Sequence, residues 1–281
     1  MRSIQEDQVL SADDAFKLFQ DIEKRFPGKT LGDDKWYLVA VGKPPEAESR
    51  NVLTISFQLA ALVGSTEPEQ VASLYTYLIS KPEFTTSESR QQLVRRMREA
   101  LVKCVSIVGV CKPLEAIFAI AKLEKPEDMD YSFSRYIMSC STTMIDDKEL
   151  TINRQNWESG AANHERGVGW FRTIYRDSHA NIEHALRAHK DFFWLSEEIT
   201  YGLYLSDHTI LGPIETELVV LAGIMIQNLP LETAWHLRGA RRVGMCSEDV
   251  EVIQQCIELV ANFSKLSLYK VPRVADIEHE V

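Results

Sequence analysis

The stretch Glu232-Thr-Ala-Trp-His236-Leu-Arg-Gly-Ala-Arg-Arg-Val-Gly244 decides how this chain is read. It has the spacing of an amphipathic helix that closes on a glycine. The turn Asn228-Leu-Pro230 precedes it, and before the turn the apolar run from Glu215 to Ile226 reads as a second helix. The pair is a helical hairpin. One histidine, His236, faces inward from it.

Working outward, the same kind of segment recurs. Ala12 to Arg25 carries Phe16, Phe19 and Ile22 at helical spacing and stops at Pro27-Gly28. Arg50 to Val63 reads as a buried helix, followed by another from Glu69 to Ile79. Thr86 or Ser87 caps a long helix to Val108, with Leu93, Met97, Leu101, Val105 and Val108 on one stripe. Gly109 fits its end and Pro113 restarts a helix through Ala121. Helices resume at Gly169 to Asp177, Asn181 to Ala188 and Asp191 to Leu205, and Ser247 caps one running to Phe263. The expected fold class is all-α.

Two parts of the chain match each other. A shift of 163 positions lays Val52–Val63 on Glu215–Ile226 and Glu69-Gln-Val-Ala-Ser73 on Glu232-Thr-Ala-Trp-His236. The cap at Ser87 then meets Ser247, and Pro113 meets Pro272. This reads as a tandem duplication of a helical unit. It divides the chain into a first repeat (10–123), a polar linker or arm (124–166) and a second repeat (167–281).

Composition narrows the function. The 281 residues are 45% hydrophobic and 26% charged, ordinary for a globular protein, with a net charge of −10. That acidity argues against a nucleic-acid surface but leaves room for a local arginine cluster. No apolar run reaches the roughly 18 residues of a membrane span, so no membrane partner is expected. The five cysteines are scattered and form no Cys-x-x-Cys, as expected of free thiols in a reducing compartment. Residues Met1 to Gln8 lack a signal peptide's apolar core, and Glu278-His-Glu-Val281 is no Ser-Lys-Leu address. Cytoplasm is the expected location.

Glu232 and His236 stand four apart, so on a helix they meet and could tune the imidazole for acid–base work near neutral pH. An ordinary surface pair or a satisfied core histidine has the same spacing. Glu217 lies one hairpin away. With these boundaries it sits about 15 Å from the turn and His236 about 7 Å, so a strictly antiparallel hairpin keeps them apart. Arg238 and Arg241 could clamp a substrate carboxylate or form a solvated face, as could Arg242. His179, His184 and His189 turn about 140° from one to the next and share no face, so no metal is expected there. There is no Gly-rich phosphate loop, Gly-x-Ser-x-Gly or His-Glu-x-x-His, and no cofactor is expected.

Glu217 with its apolar helix, His236-Leu-Arg-Gly-Ala240, Gly244 and Ser247-Glu-Asp resemble the carboxymuconolactone decarboxylase and alkylhydroperoxidase D superfamily. Tyr201-Gly202 and Leu211 look like that family's approach to its core hairpin, and Arg95–Ala100 with Val108–Pro113 look like the closing helices of a first copy. The resemblance implies a duplicated helical bundle of the two-copy fungal type and an oligomer, a homodimer or homotrimer. In the peroxidase branch two cysteines precede the histidine; here Leu229 and Glu232 stand at those positions, which leaves no thiolate nucleophile. The resemblance therefore implies cofactor-free decarboxylation or isomerisation of a small carboxylic acid or lactone. His236, Glu232 and Glu217 would be catalytic, and Arg238, Arg241 and Tyr201 would bind substrate. Thr54 and Ser73 replace Glu217 and His236 in the first copy. A helical oligomer without activity is the alternative, and a peroxidase using Cys246 a remoter one.

Overall fold

A computed structural model describes residues 11–26, 56–132, 160–176 and 178–281. Among these, the chain is helical with no strand, so the all-α expectation holds. The first residues of the segment read as Arg50–Val63, residue Thr54 and most of the polar stretch lie outside the described residues.

Helix α1 (Ala12–Arg25) starts at Ser11, whose hydroxyl accepts from the Asp14 amide at 3.1 Å, and buries Ala15, Leu18, Phe19 and Ile22. Helical residues 56–64 form α2, and α3 follows at Val71–Ile79. The long α4 (Ser87–Val108) is capped by Thr86, which takes the Ser89 amide at 3.1 Å. It ends at Gly109, whose φ of 84° lies in the left-handed region that only glycine enters freely. Next come α5 (Cys111–Ala121), α6 (Ala161–Tyr175), α7 (Ser178–Ala185) and α8 (Lys190–Trp194). The site hairpin is α9 (Pro213–Met225) and α10 (Pro230–Arg242), followed by α11 (Ser247–Phe263) and the short α12 (Val274–Ile277).

Several local expectations are corrected. The helix read through Asp191–Leu205 is regular only to Trp194; Leu195–Leu205 is a π-helix. The π segment packs tightly against α6. Gly167 on α6 meets Gly202 on the π segment so closely that an added methyl at Gly167 would lie 2.8 Å from the Gly202 Cα. Ser247 is the first helical residue of α11 rather than its cap; its hydroxyl reaches Glu248, and Cys246 occupies the cap position without a side-chain bond. Val105 and Val108 are only half-buried, while Lys103 on the same helix is wholly buried. Its ammonium donates to the carbonyls of Tyr204 (2.9 Å) and Asp207 (2.7 Å), where the π segment ends and its dipole is negative. This pins α4 to that segment.

The start of the polar stretch is not a free arm. Asp128 takes Arg90 at 2.7 Å, and Asp130 takes Arg95 at 2.9 Å and Arg98 at 2.7 Å, which straps residues 126–132 along α4. One continuous apolar core draws on α1 to α5 and α9 to α12 together, from Phe19 and Leu62 to Leu221 and Ile257. A smaller core of Trp170, Phe171, Ile174, Tyr175, Tyr201, Leu205, Val220 and Ile224 lies between α6, the π segment and α9. No helix among the described residues is long and apolar enough to cross a membrane.

Candidate functional site

Helix α9 is buried on all sides, from Glu215 to Met225. Two acids interrupt it. Glu215 is the first-turn carboxylate: it accepts from the Gly212 amide at 2.8 Å and pairs with Arg96. Glu217, two residues further along, is fully buried. His236 on α10 is also buried, and its Nδ1 lies 2.8 Å from Glu217 Oε1.

The contact between Glu217 and His236 corrects the hairpin estimate. Because α9 ends at Met225 and α10 begins at Pro230, Glu217 stands about 12 Å before the turn and His236 about 9 Å after it. The remaining offset is within reach of a glutamate side chain. Gly239, one turn past the histidine, provides the lateral space. A methyl there would lie 2.5 Å from Glu217 Oε1 and 2.9 Å from the Ile174 side chain.

The partner that orients His236 is therefore Glu217. Glu232, expected to do so, makes no hydrogen bond to the ring and is half-buried on the adjoining turn. The other ring nitrogen, Nε2, faces the hydroxyl of Tyr175 at 3.3 Å. Tyr201 in turn donates to the Tyr175 hydroxyl at 2.8 Å. With Glu217 ionised, Nδ1 carries the ring proton and Nε2 presents its lone pair to Tyr175. A buried chain thus runs Glu217, His236, Tyr175, Tyr201.

Electrostatics follow from that burial. Loss of hydration pushes the Glu217 carboxyl above its ordinary value, against the opposing pull of the His236 charge and hydrogen bond. Burial likewise raises Tyr175 and Tyr201 above the ordinary phenol range, so both hydroxyls stay protonated. Glu217 Oε2 is buried with no hydrogen-bond partner, as is Thr233 Oγ1 one turn before the histidine. An unsatisfied buried carboxylate oxygen is a costly arrangement and marks this pair as the strained polar point of the core.

Tyr175 was not singled out from the sequence. It is the last residue of α6, distant in the chain from His236, and only tertiary packing joins them. Its ring is held by aromatic neighbours: Phe171 stacks on it with centroids 4.4 Å apart, and Trp235 meets it edge-on at 5.4 Å. Arg242 caps the end of α6 by donating to the Ile174 carbonyl at 2.6 Å.

The other arginines do not face the site's polar chain. Arg238 pairs with Glu280 at 2.6 Å, and Arg241 grips Glu278 at 2.7 Å and also donates to the Met245 carbonyl. They clamp the segment that follows α12. That corrects the reading of Arg238 and Arg241 as a substrate clamp. Tyr201 enters the site as a hydrogen-bond partner of Tyr175. His179 pairs with Glu197 at 3.1 Å, and no three His, Cys, Asp or Glu side chains gather into a metal-binding set among the described residues. Cys104 and Cys256 are buried, with thiols pushed up to about 12, and burial also raises Cys246. Those thiols resist ionisation, which weakens the peroxidase reading.

Comparison with known proteins is sparse. No family model and no solved structure matches the chain. It is similar to Peroxisomal protein 2 of Saccharomyces cerevisiae, at 19% identity over 188 residues, covering 63% of this chain and 65% of that protein. The chain thus spans less than two thirds of that relative's length.

Proposed function

We propose that this chain is a cofactor-free acid–base enzyme of the carboxymuconolactone decarboxylase type, acting on a small carboxylic acid or lactone. The observation that carries the proposal is the buried Glu217–His236 pair with Tyr175 on its open nitrogen. Glu217 fixes the ring orientation and stabilises the imidazolium when the ring takes a proton. Nε2 is the working nitrogen, because Nδ1 is committed to Glu217. The Tyr175 contact is long for an O–H···N bond, and because both residues are buried a substrate atom reaches Nε2 only as Tyr175 moves aside. Nε2 first takes the proton of the substrate's carboxyl group. As carbon dioxide leaves, the electron pair of the broken carbon–carbon bond forms the dienolate, which takes that proton back from the His236 imidazolium, while Tyr175, polarised by the Tyr201 hydroxyl, donates to the developing negative oxygen. The two-repeat organisation and homo-oligomer belong to the same proposal.

Carbon dioxide release from candidate lactones tests the reading. His236→Ala should abolish turnover, and Tyr175→Phe should lower kcat by roughly a hundredfold to a thousandfold, the weight of one hydrogen-bond donor to a developing oxyanion. Turnover by His236→Ala equal to the parent's would sink it.

The burial of the whole polar chain favours a second reading, a non-catalytic helical protein in which Glu217 and His236 are structural. In that case no candidate acid or lactone binds, and the His236 ring resonances stay unmoved by any of them. Location separates along the same lines. Cytoplasm is the primary assignment, while the relative's name argues for peroxisomes. Imaging of the chain tagged at its N-terminus distinguishes the two.

A further inference from the structure

The face of α5 (Cys111–Ala121) that points away from the core carries a contiguous run of large exposed apolar side chains. Its inner side buries Pro113, Ala116 and Ile120 against α3. Its outer side exposes Cys111, Leu114, Phe118 and Ala121, with Val110 just before them. Phe118 is 58% exposed, Leu114 44% and Val110 50%. The spacing of Cys111, Leu114, Phe118 and Ala121 is three, four, three, the alternation of a helix–helix seam. Two charges flank the stripe, Glu115 and Lys122, both exposed.

We infer that this stripe is a self-association surface that pairs with α5 of a second copy in antiparallel, two-fold fashion. This names a surface for the homo-oligomer of the proposed function, and it stands or falls without the chemistry at His236. One register matches Leu114, Phe118 and Ala121 together. With the two-fold axis passing beside Phe118, the two Phe118 rings meet each other. Leu114 then lies against Ala121 of the other copy, and Glu115 lies beside Lys122 of the other copy. The relation is reciprocal, as an isologous interface requires. The charge pair therefore forms twice, and no like charges meet along the stripe. A parallel pairing would instead set Glu115 against Glu115 and Lys122 against Lys122. An unrelated partner has no reason to match both the apolar and the charged positions in a single register.

The seam is small. A few exposed side chains on one helix bury on the order of 300 Å² per copy, well under the roughly 800 Å² per partner of a standard interface. The dimer is accordingly weak and concentration-dependent.

Sedimentation velocity on the full chain, from low micromolar to several hundred micromolar, tests the inference. The parent should move from monomer toward dimer across that range. Phe118→Glu should remain monomeric; the side chain lies on the surface, and an unchanged circular dichroism melt verifies its fold. Glu115→Lys and Lys122→Glu should each weaken association about tenfold, because each turns two favourable pairs into two repulsive ones. The double variant Glu115→Lys/Lys122→Glu should return to within about twofold of the parent, since exchanging the charges restores both pairs. Phe192→Glu, at an exposed aromatic on α8, should have no effect. A parent that stays monomeric at every concentration overturns the inference. So does a double variant as weak as the single ones, or a Phe118→Glu protein that dimerises like the parent.

Discussion

At the scale of single residues, Glu217 and His236 show how burial sets both chemistry and stability. The pair is fully desolvated, so removing one partner leaves the other without compensation. His236→Ala should cost about 3–5 kcal/mol, the usual penalty for stranding a buried charge, whereas Glu217→Gln should cost less because it strands none. The pH dependence gives the sign. Burial raises the folded-state value of Glu217. A raised carboxyl favours folding where it is protonated, and that contribution is lost as pH rises through the folded value. In His236→Ala the opposing pull of the histidine is gone, so the destabilisation should grow from weakly acidic to weakly alkaline buffer. Urea unfolding at the two conditions measures it. A penalty independent of pH would mean that Glu217 does not carry the charge.

At the scale of elements, the close passage of α10 over α9 and α6 depends on a missing side chain. Glycine inside a helix ordinarily costs about 1 kcal/mol relative to alanine, so Gly239→Ala would stabilise an isolated α10. In the folded chain the added methyl meets Glu217 Oε1 at 2.5 Å and Ile174 at 2.9 Å. The helices must separate, and the expected net result is a loss of about 1–3 kcal/mol. The His236 Nδ1 proton should also become exposed to exchange. Denaturant melts and amide and imidazole proton exchange read the two effects. Stabilisation by Gly239→Ala would show that the helices are not held in this contact. The π segment makes the related point for sequence reading. The periodicity of Asp191–Leu205 is helical and does not tell α from π turns; in the folded chain Gly202 of this segment packs closely on Gly167 and Asn163 of α6.

At the scale of the whole molecule, the question is what holds the chain's last described residues across α10. Both ion pairs and apolar contacts are present, and their magnitudes differ. Glu278 and Glu280 are 40% and 52% exposed, so their bonds to Arg241 and Arg238 fall among surface pairs worth about 0–1 kcal/mol. Ile277 is 3% exposed, and truncating such a side chain costs about 2–5 kcal/mol. Ile277→Ala should therefore lower the melting temperature by several degrees more than Glu278→Gln/Glu280→Gln. The reverse order would make the tail an electrostatic clamp, with a steep salt dependence to match.

The sequence by itself determined the fold class, because helical periodicity, caps and helix-ending glycines are local and survive without neighbours. It marked His236 and Glu217 as the chemically unusual members of an apolar hairpin, since a polar residue on a buried stripe stands out in one dimension. It also placed the helix end at Gly109 and narrowed the cap to Thr86 or Ser87, of which the structure uses Thr86. Only the tertiary structure decided which carboxylate meets the histidine. Glu232 is nearer in sequence, but where the hairpin turns and the gap at Gly239 bring Glu217 to 2.8 Å instead. The same holds for Tyr175, for Lys103 at the end of the π segment and for the arginines turned to the tail. Each pairs residues separated by tens of positions. Such pairings are set by crossing helices and the desolvation that packing imposes, which no local pattern encodes.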